Sequence, residues 1–311
     1  MSSSANGNGH KNGNGYLYFP GCSLRATGVA YEESMVALFK LLGIPLKELE
    51  DWNCCGATSY MSIDEDSGFL LSARNLSLAH QEGSRDLLAP CAACYLVLRK
   101  TQDYAHKYPS IEKEVSESLK AVNLPALNSV RVRHPLEMLY NDVGLEKLKS
   151  LVKRHWHGGA VACYYGCQAV RPYDEVDKAY NPTRMDEMLQ AIGIPTVEYS
   201  LKTKCCGGSL TGTIHDVGIR LNYVLLKEAA RKGAQAVVTI CPLCQFNLDA
   251  YQSEIRKQSG EYFDMPVFYL TQLLGWALGG DQKALGLHRG IAGRQLIHNW
   301  TKTHGEVESY V

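Results

Sequence analysis

The sequence predicts an α/β protein of two pseudo-repeated Rossmann-like units, each a small parallel sheet flanked by helices. Motif recurrence at a nearly constant offset carries the duplication, and alternation of short apolar runs with helical periodicity carries the class. Gly43-Ile44-Pro45 returns as Gly193-Ile194-Pro195, and Cys91-x-x-Cys94 as Cys241-x-x-Cys244, each 150 residues later. Gly83 and Gly233 keep that offset; Cys54-Cys55-Gly56 returns as Cys205-Cys206-Gly207 at 151, and Gly21-Cys22 as Gly166-Cys167 at 145. Five matches in one order exceed coincidence, and small indels explain the drift.

Each copy reads in the same order. Residues 16–20 and 159–165 are short apolar, aromatic runs that suit buried strands ending at a cysteine. A helix follows in which Tyr31, Met35, Leu38, Phe39 and Leu42 share a face, closed by Gly43 and stopped by Pro45; Met185, Met188, Leu189 and Ile192 do the same before Gly193. Strands over 46–50 and 196–200 lead to the paired cysteines, and helices over 67–81 and 217–232 come after them. Strands over 86–89 and 236–240 run into the Cys-x-x-Cys pairs. Fourth strands, 131–134 and 267–269, precede apolar helices at 136–140 and 273–278. Parallel strands joined by right-handed helical crossovers place ligands at their carboxyl ends, where every motif cysteine falls. The expected division is a flexible tail over 1–15, a first unit over 16–150, a second over 151–280 and an extension over 281–311. The charged stretch 101–124, absent from the second copy, reads as a docking appendage or a solvated surface helix.

Composition narrows the function. The 32 basic residues balance 32 acidic ones, so bulk electrostatics give no reason to expect nucleic acid or an anionic membrane. The first fifteen residues, mostly Ser, Gly and Asn, lack the apolar stretch of a secretory signal, and no apolar run is long enough to span a bilayer. A cytoplasmic location is expected. There, clustered cysteines bind metal or do redox work more often than they form bridges.

Ten of the eleven cysteines form two matching sets of five. The first is Cys22, Cys54, Cys55, Cys91 and Cys94, with 31 and 35 residues in its two long gaps; the second is Cys167, Cys205, Cys206, Cys241 and Cys244, with gaps of 37 and 34. Thiolates are the natural ligands of iron–sulfur clusters and of zinc. Adjacent cysteines point in different directions, which suits a centre larger than one ion. A fifth cysteine also exceeds the four ligands zinc takes. Zinc in one or both sets, disulfides and inert buried thiols remain alternatives. Cys163 stands outside the pattern and reads as a buried strand cysteine. His134, His155, His157, His215, His288 and His298 show no metal spacing with cysteine and read as surface or satisfied core histidines, with a proton donor near the site left open. Residues 281–311 carry no readable signal.

The motifs Gly21-Cys22-Ser23, Cys54-Cys55-Gly56-Ala57, Pro90-Cys91-Ala92-Ala93-Cys94, Tyr165-Gly166-Cys167, Cys205-Cys206-Gly207-Gly208 and Cys241-Pro242-Leu243-Cys244 resemble the cysteine-rich CCG family. Two complete sets in one chain are similar to the B-type subunits of heterodisulfide reductases within that family, including versions from sulfur-oxidising bacteria. The likeness runs from about residue 16 to 278; Pro90 precedes the first Cys-x-x-Cys where Pro242 lies inside the second. It implies a non-cubane [4Fe-4S] cluster in each set of five, the two facing across a cleft where a disulfide is reduced to two thiols. It implies electrons arriving through an iron–sulfur C-type subunit from a flavin-bearing A-type subunit. Other branches pass electrons or anchor a complex without breaking a bond, and the sulfur-oxidising versions act on a lipoate-carrying protein or a persulfide.

Overall fold

The computed structural model describes residues 15–57, 60–127 and 130–302. The tail expected over 1–15 lies outside them except for Gly15, as does the end of the extension from 303 on. Strands β1 (Tyr16–Tyr18), β2 (Leu46–Glu48), β3 (Asp86–Leu88) and β4 (Arg131–Arg133) form an all-parallel sheet in the order β2-β1-β3-β4. Strands β5 (Val161–Tyr164), β6 (Ala236–Thr239) and β7 (Val267–Tyr269) form a second parallel sheet in the order β5-β6-β7. Every residue of β3, β5, β6 and β7 is buried, as expected for parallel strands covered on both faces.

The strand expected over 196–200 is a correction: it shrinks to one bridge between Val161 and Thr196. In the first copy the ladder runs from Tyr16 N–H on Pro45 O to Leu49 N–H on Tyr18 O. The second copy starts alike, with Val161 N–H on Pro195 O and Val197 N–H on Val161 O. The chain then turns inward. Lys202 O accepts the N–H groups of Tyr165 and Gly166, while Lys202 Nζ donates to buried Asp186 at 3.0 Å and to Pro182 O at 2.9 Å. Seating that ammonium takes the backbone away from the sheet edge.

The connecting helices are α1 (Val29–Leu41), α2 (Glu65–Gln81), α3 (Ala92–Lys107), α4 (Pro109–Ala121) and α5 (Pro135–Met138) in the first copy. In the second they are α6 (Arg184–Ala191), α7 (His215–Arg231), α8 (Pro242–Ala250) and α9 (Leu270–Ala277), with α10 (Arg294–Lys302) beyond. Both copies share one apolar core. Helix α1 packs on α9, where Tyr31 and Tyr269 stack at 4.5 Å and the buried hydroxyls of Ser34 and Thr271 meet at 2.6 Å. The reciprocal pair, α5 and α6, also pack together, giving the joint an approximate two-fold relation. The stretch 101–124 is the end of α3 plus α4, a helix at the surface with Val115 and Leu119 packed on Ala73 of α2.

The extension is tied down as far as it is described. Leu285 and Leu287 are buried, buried Asp249 accepts the N–H groups of Ile291 and Ala292 at 2.9 Å, and Arg289 pairs with Glu33 of the first copy. Among the described residues, no helix is long and apolar enough to cross a membrane.

Candidate metal centre

Eight of the ten motif cysteines follow a strand; Cys205 and Cys206 follow the turn that replaces the strand expected over 196–200. Cys22 lies in a short helix after β1, and Cys167 in the loop after β5. Cys91 is the N-cap of α3 and Cys241 that of α8, which puts Cys94 and Cys244 in the first turns. Cys54-Cys55 and Cys205-Cys206 occupy the approaches to α2 and α7. Helix starts present unpaired backbone N–H groups, a setting that favours negative charge.

All eleven cysteines are free thiols. Within the first set Cys54 touches Cys55, Cys55 lies 3.1 Å from Cys94 between Sγ atoms, and Cys94 touches Cys91. In the second, Cys206 lies 3.5 Å from Cys244, Cys244 touches Cys241, and Cys167 touches Cys205. The sets also meet each other, because Cys91 and Cys241 lie close enough across the joint between copies for each to shift the other's proton affinity. A string of seven thiols therefore runs from Cys54 to Cys206, with Cys22 beside one end and the Cys167–Cys205 pair on the far side. Among the described residues, no three His, Cys, Asp or Glu side chains converge as for a single ion.

These contacts push the thiols' proton affinities apart. Contact with Cys54 and Cys94 holds Cys55 well below the usual thiol range, and closeness to Cys241 and Cys94 does so for Cys91. Cys167 brings Cys205 down to about 6, with help from the Gly207 N–H and the Arg171 guanidinium against the effect of burial. Cys206 falls through Cys244, and its Sγ also receives the Gly208 N–H at 3.4 Å and Asn247 Nδ2 at 3.5 Å. Their partners Cys54, Cys94, Cys167 and Cys244 rise, by these same contacts and by burial. Thiolate is the ligating form, so each set starts with acceptors in place. Cys22, Cys54 and Cys205 are exposed, which leaves one side of the array open.

Two glycine devices bring backbone close enough. A Cβ on Gly21 would stand 3.0 Å from Cys94 Sγ, and one on Gly166 would stand 3.1 Å from Cys244 Sγ. The glycine after each cysteine pair, Gly56 at φ +81° and Gly207 at φ +95°, adopts a left-handed turn. A Cβ there would meet Gly68 Cα or Gly218 Cα at 3.2 Å, so each turn lies glycine-on-glycine against its following helix. Gly68 and Gly218 stand 150 residues apart, a signal present in the sequence but outside the cysteine motifs.

The ten expected residues are thus together, and Cys163 stands apart: it is fully buried, and its neighbours are Asp186 and Lys202. Asn247, Arg171 and His134 are additions. Arg171 Nη2 donates to Thr203 O beside the second pair. His134 is a satisfied core histidine, as its sequence context suggests, but its place at the joint was not legible.

A model of the cysteine-rich domain family, CCG, matches residues 16–99 and again 161–249, more than half of the chain. This protein belongs to the CCG family. Its two CCG segments are the two copies described above. The 8-methylmenaquinol:fumarate reductase membrane anchor subunit of Wolinella succinogenes is 32% identical over 89% of this chain and 96% of its own length. A protein of Archaeoglobus profundus, named as like the B subunit of heterodisulfide reductase, is 31% identical over 88% and 93% of the two chains. The B subunit of a ferredoxin/F(420)H(2)-dependent CoB-CoM heterodisulfide reductase from Methanosarcina acetivorans is 28% identical over 87% and 91%. Among solved structures, a hypothetical protein from Helicobacter pylori superposes with a TM-score of 0.70 at 14% identity over 90% of this CCG chain, a likeness of fold. The chain spans 52% of that protein's length.

Proposed function

We propose that this chain is the iron–sulfur catalytic subunit of a heterodisulfide reductase-like complex, interconverting a disulfide and two thiols. The closeness of Cys91 and Cys241, each of which shifts the other's proton affinity, carries the proposal, because it makes two five-thiol sites neighbours. Cys22, Cys54, Cys55, Cys91 and Cys94 would hold one non-cubane [4Fe-4S] cluster, and Cys167, Cys205, Cys206, Cys241 and Cys244 the other. The donor sets fit: five thiols each, thiolates favoured by internal hydrogen bonds, and glycines at Gly21 and Gly166 where a Cβ would crowd the sulfurs. Bound there, the pair would supply the two electrons that a disulfide takes up, with two protons, on becoming two thiols.

The chain's own residues contribute the rest. Buried Cys55, Cys91, Cys94, Cys206, Cys241 and Cys244 keep water from the inner side, and exposed Cys22, Cys54 and Cys205 mark the side from which substrate approaches. The N–H groups of Gly56 and Gly207 face Cys54 Sγ and Cys205 Sγ at 3.5 and 3.3 Å, so the backbone helps meet the negative charge these sulfurs would carry as ligands. The eleven free thiols suit a reducing cytoplasm. The partners would be an iron–sulfur C-type subunit together with a flavin-bearing A-type subunit. The units of the duplication would be residues 16–150 and 151–280.

The similarity to a subunit named as a membrane anchor favours a second reading, an electron-transfer or anchoring subunit that breaks no bond itself. Adding a candidate thiol to anaerobically purified, oxidised protein separates the two. A new paramagnetic signal that responds to the thiol supports the catalytic role. A protein that exchanges electrons with dithionite but gives no thiol-dependent signal is the relay.

A further inference from the structure

His134 stands at the joint between the copies, one residue past β4, and none of its ring is exposed. Its Nδ1 accepts the Leu136 N–H at 3.1 Å and so caps α5, which leaves the ring proton on Nε2. That Nε2–H faces two carbonyl oxygens, Pro90 O at 2.9 Å and Ile240 O at 3.2 Å. The two belong to different copies, and each immediately precedes the first cysteine of a Cys-x-x-Cys pair. Two carbonyl dipoles pointing at one spot repel unless a donor lies between them, and water is excluded there. Tyr95 meets the imidazole edge-on at 6.0 Å and limits its tilt. By strand register Tyr269 is the counterpart in the second copy, but it stacks on Tyr31 and directs its hydroxyl to Gln245. The tie is therefore asymmetric, made from the first copy.

We propose that His134 is a positioning residue: one N–H shared between Pro90 O and Ile240 O sets the separation of Cys91 and Cys241, and with it the magnetic and electronic coupling of the two sites. This rests on the reading that each set of five cysteines holds an iron–sulfur centre. It extends that reading from the thiols to the group that fixes their spacing.

Two substitutions divide the roles of the ring. His134→Asn keeps an acceptor near the Nδ1 position, a good helix cap, but its amide is too short to reach both carbonyls. His134→Gln keeps a donor near the Nε2 position. Anaerobic full-length protein of each variant is analysed for iron per chain and, by EPR of the reduced state, for spin–spin interaction between the centres. Wild-type iron with weakened interaction in His134→Asn and near-wild-type interaction in His134→Gln is the expected result. Unchanged interaction in His134→Asn, or equal weakening in both, overturns the proposal. Should only His134→Gln accumulate, a wild-type interaction supports the tie and a weakened one overturns it. Wild-type protein with full iron and no interaction at all removes the paired-site reading itself, a failure distinct from that of the tie.

Discussion

Replacing Gly56 by alanine tests whether the cysteine-pair turn needs glycine for its conformation, for its closeness to α2, or for both. Gly43 supplies the control. Both glycines have left-handed backbones, φ +69° at Gly43 and +81° at Gly56, but a Cβ on Gly43 meets nothing within 4 Å. Gly43→Ala therefore adds backbone strain alone, about 1–2 kcal/mol. At Gly56 the same strain is joined by contacts at 3.2 Å to Gly68 Cα and 3.4 Å to Gly68 O. These are backbone atoms of a buried helix and cannot swing aside as a side chain would. Overpacking of this kind adds about 1–3 kcal/mol, for a total of about 2–5. The turn relieves it by lifting from α2, and it carries Cys54 and Cys55 with it. Denaturant midpoints and iron per chain, measured without oxygen, separate the cases. Gly43→Ala should keep its iron and lose a little stability; Gly56→Ala should lose more stability and about half of its iron. A Gly56→Ala protein with full iron and a midpoint equal to that of Gly43→Ala would refute the reasoning.

Cys163 is fully buried among Asp186 and Lys202, so Cys163→Ala should cost about 1 kcal/mol and leave the iron content unchanged; a fall in iron would make it a ligand. Arg133, 3% exposed, donates to Glu137 at 2.7 Å and to Asp142, and sits 3.7 Å from Asp86. Arg133→Met takes the guanidinium from Glu137 and Asp142 while Asp86 keeps Arg131, and should lower stability by about 3 kcal/mol, as read from a denaturant midpoint. Burial lowers the His134 pKa to about 4 from 6.5. Below pH 6.5 the unfolded chain takes up a proton that the folded chain refuses, so the stability advantage over His134→Asn is complete above that pH and shrinks toward acid. At pH 5.5 it should have narrowed by about 1 kcal/mol, and a gap that stays flat from pH 7.5 to 5.5 contradicts the buried neutral ring.

The duplication and the strand–helix order were legible because each buried strand is a short apolar run punctuated by Gly or Pro. The lost strand near 196 was not, because its cause is a tertiary ion pair between Lys202 and Asp186, sixteen residues apart on different elements. That the ten motif cysteines would gather could be read from spacing alone. That Cys91 and Cys241 touch could not, since it depends on how α1 seats on α9 and α6 on α5. Asn247 and Arg171 escaped for a related reason: each belongs to the second copy alone, where the first has Val97 and Ala26, so no repeat marks them. His134 looked like an ordinary core histidine because its acceptors are backbone carbonyls, which no sequence pattern announces.

The central claim is that ten thiols hold two iron–sulfur centres side by side, and metal analysis tests it most directly. Iron, acid-labile sulfide and zinc are measured per chain on anaerobically purified protein, alongside Cys94→Ala and Cys244→Ala. About eight irons with matching sulfide are predicted, falling by about half in either variant. About two zincs per chain with no visible absorption, or iron unchanged by both substitutions, would contradict it.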